Sequence, residues 1–132
     1  MVMNDYVADT HALCWYLTRD PRLGTQAQAV FEQAASGNAK IWVSSIVLAE
    51  MFYLLDKQGR SFLFGELFEK LEQVEQFTFI DFVAEDTLQF SHFLAIPEMH
   101  DRIIVASAAK LAAVCLTKDE KIIASGLVNT RW

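Results

Sequence analysis

Along this chain, short apolar runs alternate with longer segments whose apolar positions recur at helical spacing. The strand-like runs are Tyr6-Val7-Ala8, Ile41-Trp42-Val43, Phe77-Thr78-Phe79-Ile80 and Ala113-Val114-Cys115-Leu116. They are aromatic and β-branched or wholly apolar, as strands buried in a parallel sheet should be. A last strand is expected around Leu127 and Val128, and Gly37-Asn38 marks a turn before the second. The intervening patterns predict helices over His11 to Thr18, Thr25 to Ala35, Ser45 to Lys57, Phe62 to Gln76, Glu85 to Leu94 and Asp101 to Ala112. In the fourth of these, Leu63, Leu67, Phe68, Leu71 and Val74 fall near a 3.6-residue period. Strand and helix in alternation argue for an α/β fold around a parallel sheet with right-handed crossovers. There is no repeat, low-complexity stretch or Pro/Gly-rich linker, and 132 residues suit one domain spanning 1–132.

Composition changes the picture in two ways. Hydrophobic residues make up 53% of the chain and mean hydropathy is +0.21, more apolar material than one small core hides. Phe62, Leu63, Phe64, Leu67 and Phe68 crowd one helix end in a stripe too wide for a single buried face. Part of it is expected to meet a second subunit, giving a homodimer, or another protein. No membrane span is expected, because the best apolar run, Ile103 to Leu116, is short and carries Lys110. The first residues lack the basic and apolar regions of a signal peptide. Cys14 and Cys115, far apart and flanked by apolar residues, read as reduced core thiols of a cytoplasmic protein. The net charge of −6 argues against a basic nucleic-acid coat protein. It does not exclude a nuclease, whose metal-binding carboxylates are neutralised by their ions.

Ligands in open α/β sheets bind beyond the carboxyl ends of the strands, and four acids map there. Asp9 ends the first strand. Glu50 lies in the helix after the second, Asp101 at the head of the helix Asp101-Arg102-Ile103-Ile104, and Asp119 just past the strand ending at Leu116. Taken singly, Asp9 reads as a helix cap, Asp101 as a cap or an acid placed favourably against the helix dipole, and Asp119 as a turn residue. Glu50 resists that treatment. Its helical neighbours Ile46, Val47, Tyr53 and Leu54 include no cation, so a metal or a distant basic group must meet it, unless it stays protonated or its tip reaches solvent. Together the four carboxylates would repel one another unless divalent cations intervened. Oxygen donors without a His/Cys cluster point to Mg²⁺, with Mn²⁺ able to substitute. Acid-lined sites of this type support two-metal phosphodiester hydrolysis.

Four segments then carry a resemblance over nearly the whole chain. They are Val7-Ala8-Asp9-Thr10-His11-Ala12-Leu13-Cys14-Trp15, Val43-Ser44-Ser45-Ile46-Val47-Leu48-Ala49-Glu50, Ile96-Pro97-Glu98-Met99-His100-Asp101-Arg102 and Leu116-Thr117-Lys118-Asp119. The sequence resembles PIN-domain ribonucleases and, among them, the VapC-type toxins of toxin–antitoxin pairs. The resemblance implies a three-layer α/β/α sandwich, Mg²⁺ or Mn²⁺ dependence, and RNA cleavage that leaves a 5′-phosphate and a 3′-hydroxyl. It implies Asp9 and Asp101 as direct metal ligands, with Glu50 and Asp119 completing the site directly or through water. Thr10 and Thr117 would supply hydroxyls to that network, and the partner would be an antitoxin with an inhibitory tail. Arg102 reads either as a fork steadying the acids or gripping phosphate, or as a surface ion-pair residue. His11 and His100 stand beside site acids and read either as carboxylate or phosphate contacts, or as ordinary helix-start and loop residues. Three other functions compete: a PIN nuclease that processes RNA without an antitoxin, a phospho-receiver with Asp81 pressed into service, and a catalytically inactive fold that only binds a partner.

Overall fold

The computed structural model describes residues 4–132. Five strands, β1 (Asn4–Ala8), β2 (Ala39–Ser44), β3 (Phe77–Ile80), β4 (Val114–Leu116) and β5 (Thr130–Arg131), form one sheet in the order β3-β2-β1-β4-β5, and every pair is parallel. Parallel neighbours need crossover connections, supplied by α1 (Thr10–Leu17), α2 (Thr25–Ala35), α3 (Ser45–Lys57), α4 (Phe64–Gln73), α5 (Met99–Lys110) and α6 (Glu120–Ser125). The chain moves outward from β1 through β2 to β3, then returns to the other side of β1 for β4 and β5. Right-handed crossovers in these two opposed directions put helices on both faces of the sheet, the expected three-layer α/β/α sandwich. The strand order reverses between β1 and β4, whose carboxyl ends stand side by side.

The core explains why β1 reads as it does. Tyr6, Val7 and Ala8 are essentially inaccessible, because β1 is central and covered on both faces. Ile41, Val43, Val47, Met51, Leu55, Leu71, Cys115 and Leu116 complete the main cluster. Cys14 and Cys115 are both free and buried. A second small cluster, Phe93, Ile96, Val105 and Ile122, seals α5 against α6.

Three expectations need correction. The last strand is Thr130–Arg131, not Leu127 and Val128. Gly126 ends α6 in the left-handed conformation, and Val128 packs against both clusters from a bend, so its apolar character reported burial and not strand. The segment expected as an α-helix from Glu85 is a 3-10 helix, Ala84–Phe93. It buries only Phe93 and leaves Leu88 exposed, so little packing favours a full α-helical stripe. Likewise Phe62 to Gln76 divides into a 3-10 turn, Ser61–Leu63, followed by α4.

Trp132 docks the β5 edge onto the start of α2. Its carbonyl accepts the Gln26 N–H at 3.1 Å, and its ring lies edge-on to Trp15 with centroids 5.8 Å apart. Gly24, the N-cap of α2, makes this approach possible: a Cβ there would stand 2.4 Å from the Trp132 carbonyl carbon. Backbone cannot give way as a flexible side chain does. Gly24→Ala is therefore expected to destabilise the fold by about 1–3 kcal/mol, the usual cost of overpacking, measured as a lower urea midpoint at unchanged slope.

Candidate active site

The carboxyl ends of β1 and β4 feed directly into helix starts, and that local chemistry fixes two of the four acids. Asp9 is the N-cap of α1, and its Oδ1 accepts the Ala12 N–H at 2.8 Å. Asp119 is the N-cap of α6, and its Oδ1 accepts the N–H groups of Lys121 and Ile122 at 2.9 and 3.0 Å. The capping reading of Asp9 is thus correct, and Asp119, read as a turn residue, proves to be a cap as well; capping is also what aims these side chains outward from the sheet edge. Thr117 is fully buried; its Oγ1 accepts the Asp119 N–H at 3.0 Å, and its side chain helps hold down the Asp9 carboxyl.

Asp101 sits in the first turn of α5 and is not the cap. Glu98 caps that helix, its Oε2 accepting the Asp101 N–H at 2.8 Å. Glu50, in mid-α3, finds its partners on other elements. Thr10 Oγ1 donates to Glu50 Oε1 at 2.7 Å, and His100 Nδ1 lies 3.4 Å from Oε2. His100 also meets Glu98 Oε1 at 2.8 Å, so α5 is tied to α3 through a Glu98–His100–Glu50 chain.

Asp9, Glu50, Asp101 and Asp119 line one open cavity of about 650 Å³, together with Thr10, His11, Tyr53, Lys57, His100 and Lys118. A second large cavity, beside Tyr16, Asp20 and Phe77, contains none of the four. Charge crowding leaves a mark. Burial, followed by the charges of Asp119, Glu98, Glu50 and Asp9, pushes the Asp101 carboxyl up to about 6. Burial also raises Asp9, against hydrogen bonds from Thr117 and Ala12 that pull it down. For Glu98, burial is outweighed by backbone N–H donors at Asp101 and His100 and by the His100 charge, which hold its carboxyl low.

The donor set suits a hard divalent cation: it is all oxygen and carries uncompensated negative charge. Among the described residues no three acidic, His or Cys side chains already stand as a closed metal cage. Mg²⁺ does not require one, since it keeps several waters and is held by one or two carboxylates.

Two sequence-derived candidates lie elsewhere. Arg102 does not face the acids: its Nε and Nη2 donate to the Ile96 carbonyl at 2.9 and 2.6 Å, bracing the loop before α5. Asp81 is exposed beyond β3 and outside the pocket, which removes the basis of the phospho-receiver reading. Conversely, Lys57, Lys118 and Glu98 were not singled out by sequence reasoning, and Tyr53 was noted only as an uncharged helical neighbour of Glu50. Lys57 stands seven residues after Glu50, a helical spacing that could have marked it as a face-mate.

Solved structures share the architecture. A chain of the VapBC2 complex of Rickettsia felis, crystallised with a DNA fragment from its promoter, superposes with a TM-score of 0.73 at 21% identity, over 96% of this chain and 97% of that one. The sarcin-ricin-loop-cleaving toxin VapC20 of Mycobacterium tuberculosis gives 0.73 at 16% identity, over 96% and 99%. A chain of the DNA-bound VapBC complex of Salmonella typhimurium gives 0.72 at 15%, over 98% of each. A sequence search among curated proteins found no match. The PIN domain family model matches residues 6–125, which takes in all four acids, most of β1 and the whole of β2, β3 and β4. On that match and the shared architecture, the chain belongs to the PIN domain family.

Proposed function

We propose that this protein is a metal-dependent ribonuclease that serves as the toxin of a toxin–antitoxin pair. The observation that carries the reading is the convergence of Asp9, Glu50, Asp101 and Asp119, from four separate segments, on one open pocket at the sheet's switch point. Asp9 and Asp101 would hold the cation, Mg²⁺ or Mn²⁺, with Glu50 and Asp119 completing the shell directly or through water. A bound cation would lower the pKa of the attacking water and offset phosphate charge. The chain's own residues set the rest. Thr10 and His100 hold Glu50 at the pocket, and the Ala12 N–H orients Asp9. Water adds to phosphorus, the bond to the 3′ oxygen breaks, and the products carry a 5′-phosphate and a 3′-hydroxyl. The toxin assignment is supported by the VapBC and VapC likenesses, and a PIN nuclease working without an antitoxin is the second reading. The RNA it cuts would be cytoplasmic; among the described residues no helix is long and apolar enough to cross a membrane. The test is cleavage of RNA with and without Mg²⁺ by wild type and Asp9→Asn. Metal-dependent cleavage that the variant lacks supports the reading, and no cleavage by wild type rejects it.

Two expectations follow. Millimolar Mg²⁺ or Mn²⁺ should raise the melting temperature, because a ligand bound only by the folded state stabilises it; a melting curve indifferent to both ions counts against the site. The chain should also form a closed two-fold homodimer at micromolar concentration, given exposed Phe62, Phe52 and Leu88, and light scattering reads this directly.

A further inference from the structure

Ionised carboxylates only accept hydrogen bonds, so none of the four acids can grip a phosphate oxygen unaided. The same pocket nonetheless carries groups that can. Lys57 and Lys118 both line it and both are exposed, and among the described residues neither lies within ion-pair distance of a carboxylate. Lys57 stands seven residues beyond Glu50 on α3, on the order of 10 Å along the helix axis. Lys118 precedes Asp119 on the loop after β4. Its ammonium is held 4.5 Å from the centroid of the Trp15 ring, which fixes its position without neutralising its charge. Between Glu50 and Lys57 on the same face is Tyr53, 67% exposed. Its ring is propped edge-on by Phe52, with centroids 5.4 Å apart, and Phe52 is propped in turn by Phe64. An exposed aromatic in the same pocket as two unneutralised cations, in a chain of net charge −6, matches a base next to its backbone phosphates.

We propose that this pocket is a track for single-stranded RNA in which Tyr53 stacks a base next to the scissile phosphate, while Lys57 and Lys118 hold flanking phosphates. The assignment rests on the ribonuclease reading and adds the residues that position the substrate.

The probe is a short fluorescent single-stranded oligoribonucleotide containing 2-aminopurine, bound to full-length protein in an Asp101→Asn background that suppresses cleavage. Anisotropy is followed against salt. Lys57→Gln and Lys118→Gln should each flatten the log–log salt slope by about 0.7, the contribution of one phosphate on a single strand. Tyr53→Ala should weaken binding about five- to hundred-fold and abolish the aminopurine quench, and Tyr53→Phe should restore both. In the otherwise wild-type enzyme, Tyr53→Ala should raise KM more than it lowers kcat. All three residues are exposed, and melting curves check that the variants fold. If wild type cuts RNA while the three variants bind and cut as it does, the track is overturned and the ribonuclease reading stands. If wild type binds RNA with the expected slopes but does not cut it, the track stands and the ribonuclease reading falls. If Tyr53→Ala impairs capture of a protein partner but not of RNA, the face is a protein interface and the track is overturned.

Discussion

Asp101→Asn should abolish RNA cleavage and, in the absence of metal, make the protein more stable. The loss of activity follows from the residue's proposed place. Cation-mediated stabilisation of the transition state is worth several kcal/mol, so a drop of about 10²–10³-fold or more is expected. The gain in stability follows from charge crowding. Asp101 has a carboxyl pushed to about 6, by burial first and then by Asp119, Glu98, Glu50 and Asp9. Because the folded state holds that proton more tightly than the unfolded chain, stability contributed by Asp101 is intact below about pH 4. It is lost progressively as pH rises to about 6 and stays lost above. Asp9, also raised, acts in the same direction. Asp20, held at about 2 by Arg22, acts oppositely but only below about pH 4, and Glu98, held low, opposes the trend chiefly at the acidic end of the window. The shift of Asp101 corresponds in full to roughly 3 kcal/mol, and solvent screening in an open pocket reduces it to about 1 kcal/mol. Metal-free wild type should therefore melt progressively lower between pH 4 and 6, Asp101→Asn should flatten that decline, and added Mg²⁺ should raise wild type more than the variant. Equal melting profiles with and without the substitution would show that the carboxylates do not crowd.

How much of this was legible depends on whether the signal was local. The central strands were, because β1 and β4 are covered on both faces and read as unbroken apolar runs. The helices α2 and α3 were found to the residue, having caps or glycine boundaries at their ends. The 3-10 segment and β5 were not. Ala84–Phe93 owes its form to what it fails to bury, and β5 is a two-residue strand whose pairing with β4 is non-local. The convergence of the acids was legible from topology, since positions just beyond parallel strands share one edge. The role of each was less so. Arg102 looked chemically apt, yet a carbonyl six residues upstream claims its guanidinium. Glu50 had no local cation, and its partners Thr10 and His100 are forty and fifty residues away in sequence. Those pairings depend on the fold and carry no short-range pattern.

Expressed without its partner, the wild-type chain should arrest growth, Asp9→Asn should not, and the product of a neighbouring gene should relieve the arrest. A ribonuclease whose pocket stands open is hazardous to the cell that makes it, so the toxin reading requires an inhibitor. The molecule offers a place for one. Phe52 and Phe62, from α3 and the turn before α4, remain exposed around partly buried Phe64 and Phe68, an apolar patch suited to an amphipathic helix. Beyond it lie the four carboxylates, and one arginine can take the place of a cation there, because a guanidinium meets carboxylates bidentately and keeps its charge when desolvated. That contact would occupy the acids and, through the bulk of the helix, cover Tyr53 and Lys57 as well. Inhibition should then be competitive with RNA and weaken when the partner's arginine is changed to alanine, while the complex itself persists through the apolar patch. Co-expression, with growth, complex formation and RNA cleavage measured together, separates the possibilities. A chain that is harmless alone and captures no neighbouring product is not a toxin, and it remains a PIN nuclease only if the purified protein cuts RNA when metal is added.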